Sequence, residues 1–519
     1  MERRFNLIDE PWLPIVDVGR VSLREVFSNS SYRALGGNPV QKIALMKLLL
    51  AIAQAACTPE DEPQWEALGT DGLARHCLAY LERWHDRFFL YGDQPFLQMP
   101  AIEKLIAERT RKRLLTAKTP GKIVEIEATG RPKNYGAGFY PDLPSENNTE
   151  FSYTMSAREL SDADKALFLV SLMNFAFGGK RVESDLVSLG GDALGNRYTA
   201  PAGPSLGGWA GQLHCFPLAD SVLGSLWVNL LTRSDIQGLN YWSEVGTPLW
   251  EKMPASESDD VANAYRSTYL ASLLALSRFV LLKDDGLFYL DGIRYPKVSD
   301  GWMESSLLVD KTQNPFKVKY VDPERRPWRE LEAMLAYNVL GTSKGFECIA
   351  LKVGVSRLAE KFGFFSIWSG GIKVSSNSGD QSVKQSDDFV ESQVWLHSDL
   401  LGQTEFAQLQ AEMAVLEDLA KVVYGCVAAY YKALKVDGKQ TAQEAVHRFW
   451  QMCERDVQSL LDHCSNGEEH RAVRQKLRSG FMGYALRIFD QLCPQETARQ
   501  LEAWAKSRPR LGKYLKEED

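Results

Sequence analysis

The sequence predicts an α+β protein: a large, loop-rich mixed α/β domain over residues 1–390, followed by a four-helix bundle over residues 391–519. Three observations carry this expectation. Apolar residues recur at three- and four-residue steps from Phe406 to Leu434, the pattern of one long amphipathic helix. Glycine doublets (Gly178-Gly179, Gly190-Gly191, Gly207-Gly208) crowd the stretch from Ala101 to Asp300, where helices are short and strand-like runs such as Gly286 to Tyr295 occur. Between the two regions lies GGIKVSSNSGDQSVKQSDD, Gly370 to Asp388, rich in serine and glycine, which reads as an exposed loop or linker.

The elements follow in order. The opening FNLIDEPWLPIV, Phe5 to Val16, contains Pro11 and Pro14, each of which fixes φ and removes a backbone donor, so it reads as strand, turn, strand in an amino-terminal hairpin. Ser22 and Glu25 form a capping box that starts a short helix. Asn38-Pro39 starts a longer one, to about Cys57, apolar on most faces and expected in the core. In the bundle, a second helix is expected from the capping box at Thr441-Ala442-Gln443-Glu444, presenting Val446, Phe449, Cys453, Val457 and Leu460. A third follows Ser465-Asn466-Gly467-Glu468 and presents Val473, Leu477, Phe481 and Ile488, and a fourth runs from Glu496 past Trp504. Four such helices with short connections pack most simply as a bundle.

Composition narrows the function. The 519 residues are 45% hydrophobic and 24% charged, an ordinary globular balance with room for two or more domains. Asp9, Glu10 and two prolines break any secretory signal core at the amino terminus, and the apolar runs fall short of a membrane span, so a cytoplasmic chain without a membrane partner is expected. Eight scattered cysteines form no CxxC pair, which argues for reduced thiols. A net charge of −7 confines any nucleic-acid role to local patches. One patch runs from Lys104 to Lys122, with seven lysines and arginines against the single acid Glu108, and a solvated helix face and loop is its plainer explanation.

Catalytic signatures are absent. A phosphate loop ending in Gly179-Lys180 would need glycine at Asn174 and serine or threonine at Arg181. The seven histidines make no HxxxH pair that would set two ligands on one helix face. The doublets Asp284-Asp285 and Asp387-Asp388 sit in turn-like text that solvation explains.

The opening FNLIDEPWLPIV, the following VSLREVF and FFLYGDQPFLQMP at Phe88 to Pro100 resemble, in order and spacing, the large subunit of the type I-E CRISPR Cascade complex, the CasA family. Asn148 to Phe151, Phe177-Gly178-Gly179, Pro327 to Leu331 and the terminal helices extend the resemblance over nearly the whole chain. It implies a non-enzymatic subunit that reads the protospacer-adjacent motif in duplex DNA through the minor groove and helps open the duplex for R-loop formation. The implied partners are double-stranded target DNA, the crRNA 5′ handle, the backbone and small Cascade subunits, and the helicase-nuclease that docks on it. Delegating sequence to guide pairing leaves the protein only a few base pairs to read.

The resemblance also places the site. Gly178 and Gly179 match the family's glycine loop, with Lys180 and Arg181 near phosphates; a helix C-cap ended by glycine is the structural alternative. Phe151, Ser152 and Tyr153 fall on a loop that contacts the handle and the motif, where the aromatics either stack on a base or anchor the loop to the core. A glutamine wedge that holds the first base pair apart follows a Gly-Gly turn in the family, which makes Gln381 the candidate here and Asn377 the reserve. Lys297 of GIRYPKVSDGW is the counterpart of a hairpin lysine that touches the motif. Some members carry cysteine pairs of zinc-ligand spacing that this chain lacks, so no metal and no cofactor are expected. The competing expectation is a protein scaffold that contacts DNA only incidentally.

Overall fold

The computed structural model describes residues 3–106, 109–116, 123–130, 133–134, 160–175, 189, 211–257, 259–284, 286–293, 295–296, 298, 301–341, 345–377, 380–382 and 388–515. The chain divides into two compact units. One comprises Met1–Pro327, Phe346–Gly354 and Trp368–Ser392, and the other Trp328–Gly345, Val355–Ile367 and Gln393–Asp519.

The first unit begins with β1 (Arg4–Asn6), β2 (Leu13–Ile15) and β3 (Gly19–Val21). The opening segment is strand, turn, strand as expected, but its two strands do not pair with each other. Asn6 accepts from the Ile8 amide through its side chain (2.9 Å) and from the Glu10 amide through its carbonyl (2.8 Å), which turns the chain away. The hairpin is instead β2 with β3, whereas β1 pairs antiparallel with β4 (Phe89–Tyr91). Next come α1 (Leu23–Ser28), α2 (Pro39–Ala56) and α3 (Glu62–Arg83). Ser22 and Glu25 cap α1 reciprocally, and Asn38 and Gln41 do the same for α2. By length and composition α2 could cross a membrane, yet 78% of it is buried, as befits the helix on which α3, α4, α5 and α8 pack.

The middle of the chain supplies β5 (Arg109–Thr116), β6 (Ile123–Gly130), β7 (Lys133–Asn134), α4 (Asp162–Asn174), β8 (His214–Leu218), α5 (Val222–Asn229), α6 (Arg233–Leu239), α7 (Asp260–Tyr265) and α8 (Tyr269–Leu273). Arg109, Arg111, Lys112 and Arg113 of the basic run therefore lie on a strand, Lys104 on a short 3-10 helix, and Lys118 and Lys122 outside the described residues. The strand-like run from Gly286 is β10 (Gly286–Asp291), which forms a hairpin with β9 (Arg278–Lys283) and has β7 on its other edge. Short strands β11 (Val309–Asp310) and β12 (Lys317–Val318) follow, then α9 (Leu331–Leu340), β13 (Phe346–Glu347) and α10 (Ile349–Phe362). β14 (Phe364–Ile372) lies between β8 and β17 (Phe389–His397) in a three-stranded sheet. Between them β15 (Ser375–Asn377) and β16 (Asp380–Ser382) form a hairpin, where a loop is expected from the sequence.

The second unit is helical. α11 (Gln403–Ala433) packs on α12 (Lys439–Cys453), α14 (Glu468–Leu492) and α15 (Ala498–Ser507), and α12 also packs on α14. This is the expected terminal bundle, with Leu409, Leu416, Val423, Phe449, Phe481 and Ile488 in its core. Three details differ from the sequence reading. The Thr441 box is unused, because the Asp437 side chain accepts from the Lys439 amide (3.0 Å) and α12 is already formed there. Val457 and Leu460 lie on a separate short helix, α13 (Val457–Asp462). The last helix starts at a capping box the sequence reading passed over, Thr497 with Gln500.

Candidate nucleic-acid interface

Helix α4 delivers the chain to the glycine segment. Its amino terminus is set by the Ser161–Asp164 capping box and its end by Phe175, whose amide donates to Ser171. Asn174 is fully buried; its side chain donates to the Leu273 carbonyl (3.2 Å) and accepts from the Ala275 amide (3.1 Å). Phe175 meets the His214 ring edge-on at 5.9 Å. The take-off point is thus fixed by core contacts, and Phe175, not a glycine, is the C-cap. Gly178, Gly179, Lys180 and Arg181 themselves lie outside the described residues, as do Phe151, Ser152, Tyr153 and Lys297.

The wedge candidates are on described backbone. Gly370 and Gly371 belong to β14 rather than to a turn, and both are needed for close approach. A Cβ on Gly371 would sit 2.6 Å from the Gln212 carbonyl oxygen and 2.7 Å from Val321, and one on Gly370 would sit 2.8 Å from the Val390 carbonyl oxygen. Beyond them Ile372 and Val374 are buried, and the Lys373 amide donates to the Asp388 carbonyl (2.8 Å), closing the base of the following hairpin. In that hairpin Ser375 pairs with Ser382, Ser376 with Gln381, and Asn377 with Asp380. Gln381 and Asn377 therefore stand on opposite strands, one register step apart, above an anchored base.

The hairpin β9–β10 carries a lysine of its own. Lys297 falls beyond β10, after the buried Tyr295, whereas the lysine at the end of the hairpin is Lys283, paired in register with Gly286. Lys283 contacts Glu103 at 2.5 Å. Asp284 beside it accepts from Arg4 (2.8 Å), which holds its carboxyl below the usual range, and the Arg4 guanidinium lies 3.9 Å from the Tyr91 ring centre. Hydrogen-bonded ion pairs thus tie the hairpin end to β1 and to the 103 region.

The described middle of the basic run is one strand of a two-stranded ribbon, β5 with β6. Arg109, Arg111 and Arg113 take alternate positions on β5, opposite Gly130, Ala128 and Ile126 of β6. Alternation sets these three apart from Lys112, which pairs across the ribbon with Glu127.

Among the described residues no group of three or more His, Cys, Asp or Glu is placed to hold a metal ion. All eight cysteines are reduced thiols, six of them buried. Burial pushes the Cys464 and Cys493 thiols up to about 12, away from nucleophilic use at neutral pH.

These features define a large α+β protein with a terminal helical bundle, whose distinctive surface elements are short hairpins on an anchored base. The model of the family described as CRISPR-associated protein Cse1 matches residues 6–488, and the chain belongs to that family. It is 26% identical over 362 residues to the CRISPR-associated protein CasA/Cse1 of Thermus thermophilus, a match spanning 64% of this chain and 60% of that protein. The fold is similar to the crystal structure of Thermobifida fusca Cse1, with a TM-score of 0.71 at 23% identity over 99% of this chain and 98% of the other. It is also similar to a chain of a CRISPR RNA-guided surveillance complex, with a TM-score of 0.66 at 15% identity over 98% and 99% of the two chains.

Proposed function

We propose that this chain is the non-catalytic large subunit of a type I-E CRISPR RNA-guided surveillance complex. It reads the protospacer-adjacent motif of duplex DNA through the minor groove, promotes duplex opening, and recruits the helicase-nuclease. Its other partners are the crRNA 5′ handle and the backbone and small subunits, in the cytoplasm. The observation that carries this reading is the family match from residue 6 to residue 488, supported by similarity of fold over nearly the whole chain.

In this reading the glycine segment Gly178-Gly179 admits backbone to the groove floor while Lys180 and Arg181 hold phosphates. Phe151, Ser152 and Tyr153 contact the handle and the motif. Gln381, with Asn377 across the hairpin, enters the duplex at an unstacking cost of about a few kcal/mol. Lys297 of GIRYPKVSDGW touches the motif as the counterpart of the family's hairpin lysine. The minor groove offers a degenerate pattern, so a tolerant motif is expected.

The test is a complex reconstituted with this chain and offered duplexes that differ only in the bases flanking the target. Motif-dependent binding, with slower R-loop formation for Gln381→Ala at unchanged assembly, is the expected result. Equal affinity for every flank would replace motif reading by a scaffold role, and unaltered kinetics for Gln381→Ala would remove the wedge assignment.

A further inference from the structure

The helical unit contains a pocket of about 580 Å³ that none of the interface elements uses. Two aromatic rings line it, Phe364 and Trp395, 47% and 42% exposed, with centroids 6.3 Å apart. Three carboxylates share the lining: Asp399, Glu405 and Asp462. Their partners are side chains without a fixed positive charge. Glu405 accepts from Asn466 (2.9 Å), Asp462 from Gln458 (2.8 Å), and Asp399 lies 3.0 Å from His397. Among the described residues no lysine or arginine is paired with any of the three.

The pocket is built rather than incidental. Gln458 grips the Trp395 backbone from both sides, accepting from its amide (3.1 Å) and donating to its carbonyl (2.8 Å). Arg474, almost fully buried, donates to the carbonyls of His463 and Ser465 (2.7 and 2.8 Å) and so fixes the turn that carries Asn466. His470 lines the same pocket, and its Nδ1 is buried with no hydrogen-bond partner among the described residues. A preorganised site loses little ordering entropy when it is filled.

We infer that this pocket docks an arginine-bearing segment of a protein partner. A purely apolar ligand would satisfy the rings and strand the carboxylates. A nucleic-acid strand would be repelled by three negative charges. A guanidinium answers both halves of the lining, stacking on Trp395 while its fork of N–H donors meets the carboxylates, and apolar neighbours in the segment cover Phe364. The volume lies within the usual range for ligand pockets, about 300–1,000 Å³. The inference is independent of motif reading, which uses other residues, and either can fail alone.

The full-length chain, labelled with 5-fluorotryptophan, is titrated with the peptide acetyl-Leu-Arg-Gly-Arg-Leu-amide and with its citrulline counterpart, with the Trp395 fluorine resonance assigned through Trp395→Phe. The arginine peptide is expected to shift that resonance and to bind at least tenfold more tightly than the citrulline peptide. Combining Asp399→Asn, Glu405→Gln and Asp462→Asn is expected to weaken it at least tenfold at an unchanged Tm. Should the combination lower Tm, the exposed Asp462→Asn alone carries the comparison, with a smaller loss expected. Equal binding of the two peptides, equal binding by the carboxylate variant, spermidine binding as tightly as the peptide, or an oligonucleotide shifting the Trp395 resonance would each overturn the assignment.

Discussion

Glu412 shows what a side chain in the bundle core requires of its neighbours. It is 1% exposed and receives two parallel hydrogen bonds from the equally buried Arg478 (2.8 and 2.8 Å), with Arg474 3.4 Å away. Removing one member of such a group leaves an uncompensated charge in the core. Glu412→Ala is therefore expected to lower stability by about 3–5 kcal/mol, read from urea unfolding by circular dichroism. Replacing the whole group by Leu and Met should recover most of the loss, and a single variant as stable as the parent would refute the argument. Periodicity alone could not reveal this group. Reading α14 for apolar residues picks Val473 and Leu477, which are half-buried, whereas the charged Arg474 and Arg478 beside them face inward.

His214 makes a different demand, one that depends on pH. It is fully buried against Ser306, and desolvation, reinforced by the Lys47 ammonium, pushes its imidazole well below the ordinary 6.5. The unfolded chain takes up a proton near pH 6.5 that the folded chain refuses, so stability falls as pH drops below about 6.5 and levels off only below the folded value. His214→Gln is expected to flatten that fall, by up to about 1.4 kcal/mol per pH unit, in denaturation series between about pH 7 and about pH 5. An unchanged slope would mean that the proton uptake belongs to other groups.

At the scale of elements, local chemistry was legible and partnership was not. The starts at Ser22 and Asn38 could be read because a capping box at Ser22–Glu25 and a proline directly after Asn38 mark them locally. The pairing of β1 with β4 joins Arg4 to Tyr91, and no spacing rule reaches that far. The same limit turned Gly370-Gly371 into an expected turn, since their real constraints are the Val390 and Gln212 carbonyls, remote in sequence. Gly371→Ala should cost about 1–3 kcal/mol through overpacking, seen as a lower Tm, and, by shifting the hairpin base, is expected to slow R-loop formation as Gln381→Ala is expected to. A Tm equal to the parent's would show that the close approach is dispensable.

At the scale of the whole molecule, the division into a mixed part and a terminal bundle followed from where the hydrophobic period settles to 3.6. The candidate site was legible only as resemblance. Hairpin β15–β16 now gives Gln381 and Asn377 a backbone setting, while the Phe151 loop and the Gly178 segment lie outside the described residues. Binding by the assembled complex tests the second of these directly. Lys180→Ala is expected to weaken target DNA binding and to reduce the slope of log affinity against log salt by about 1, because one fewer phosphate counterion is released. An identical slope would exclude Lys180 as a phosphate contact.

The bond from Lys373 to Asp388, with Ile372 and Val374 sunk beside it, acts as a collar around the root of the hairpin β15–β16. Whatever lies distal to a collar can lengthen, shorten or change its lettering without disturbing what the collar clamps. Changes at the tip of β15–β16 are therefore expected to leave the packing of β14 and its neighbours intact.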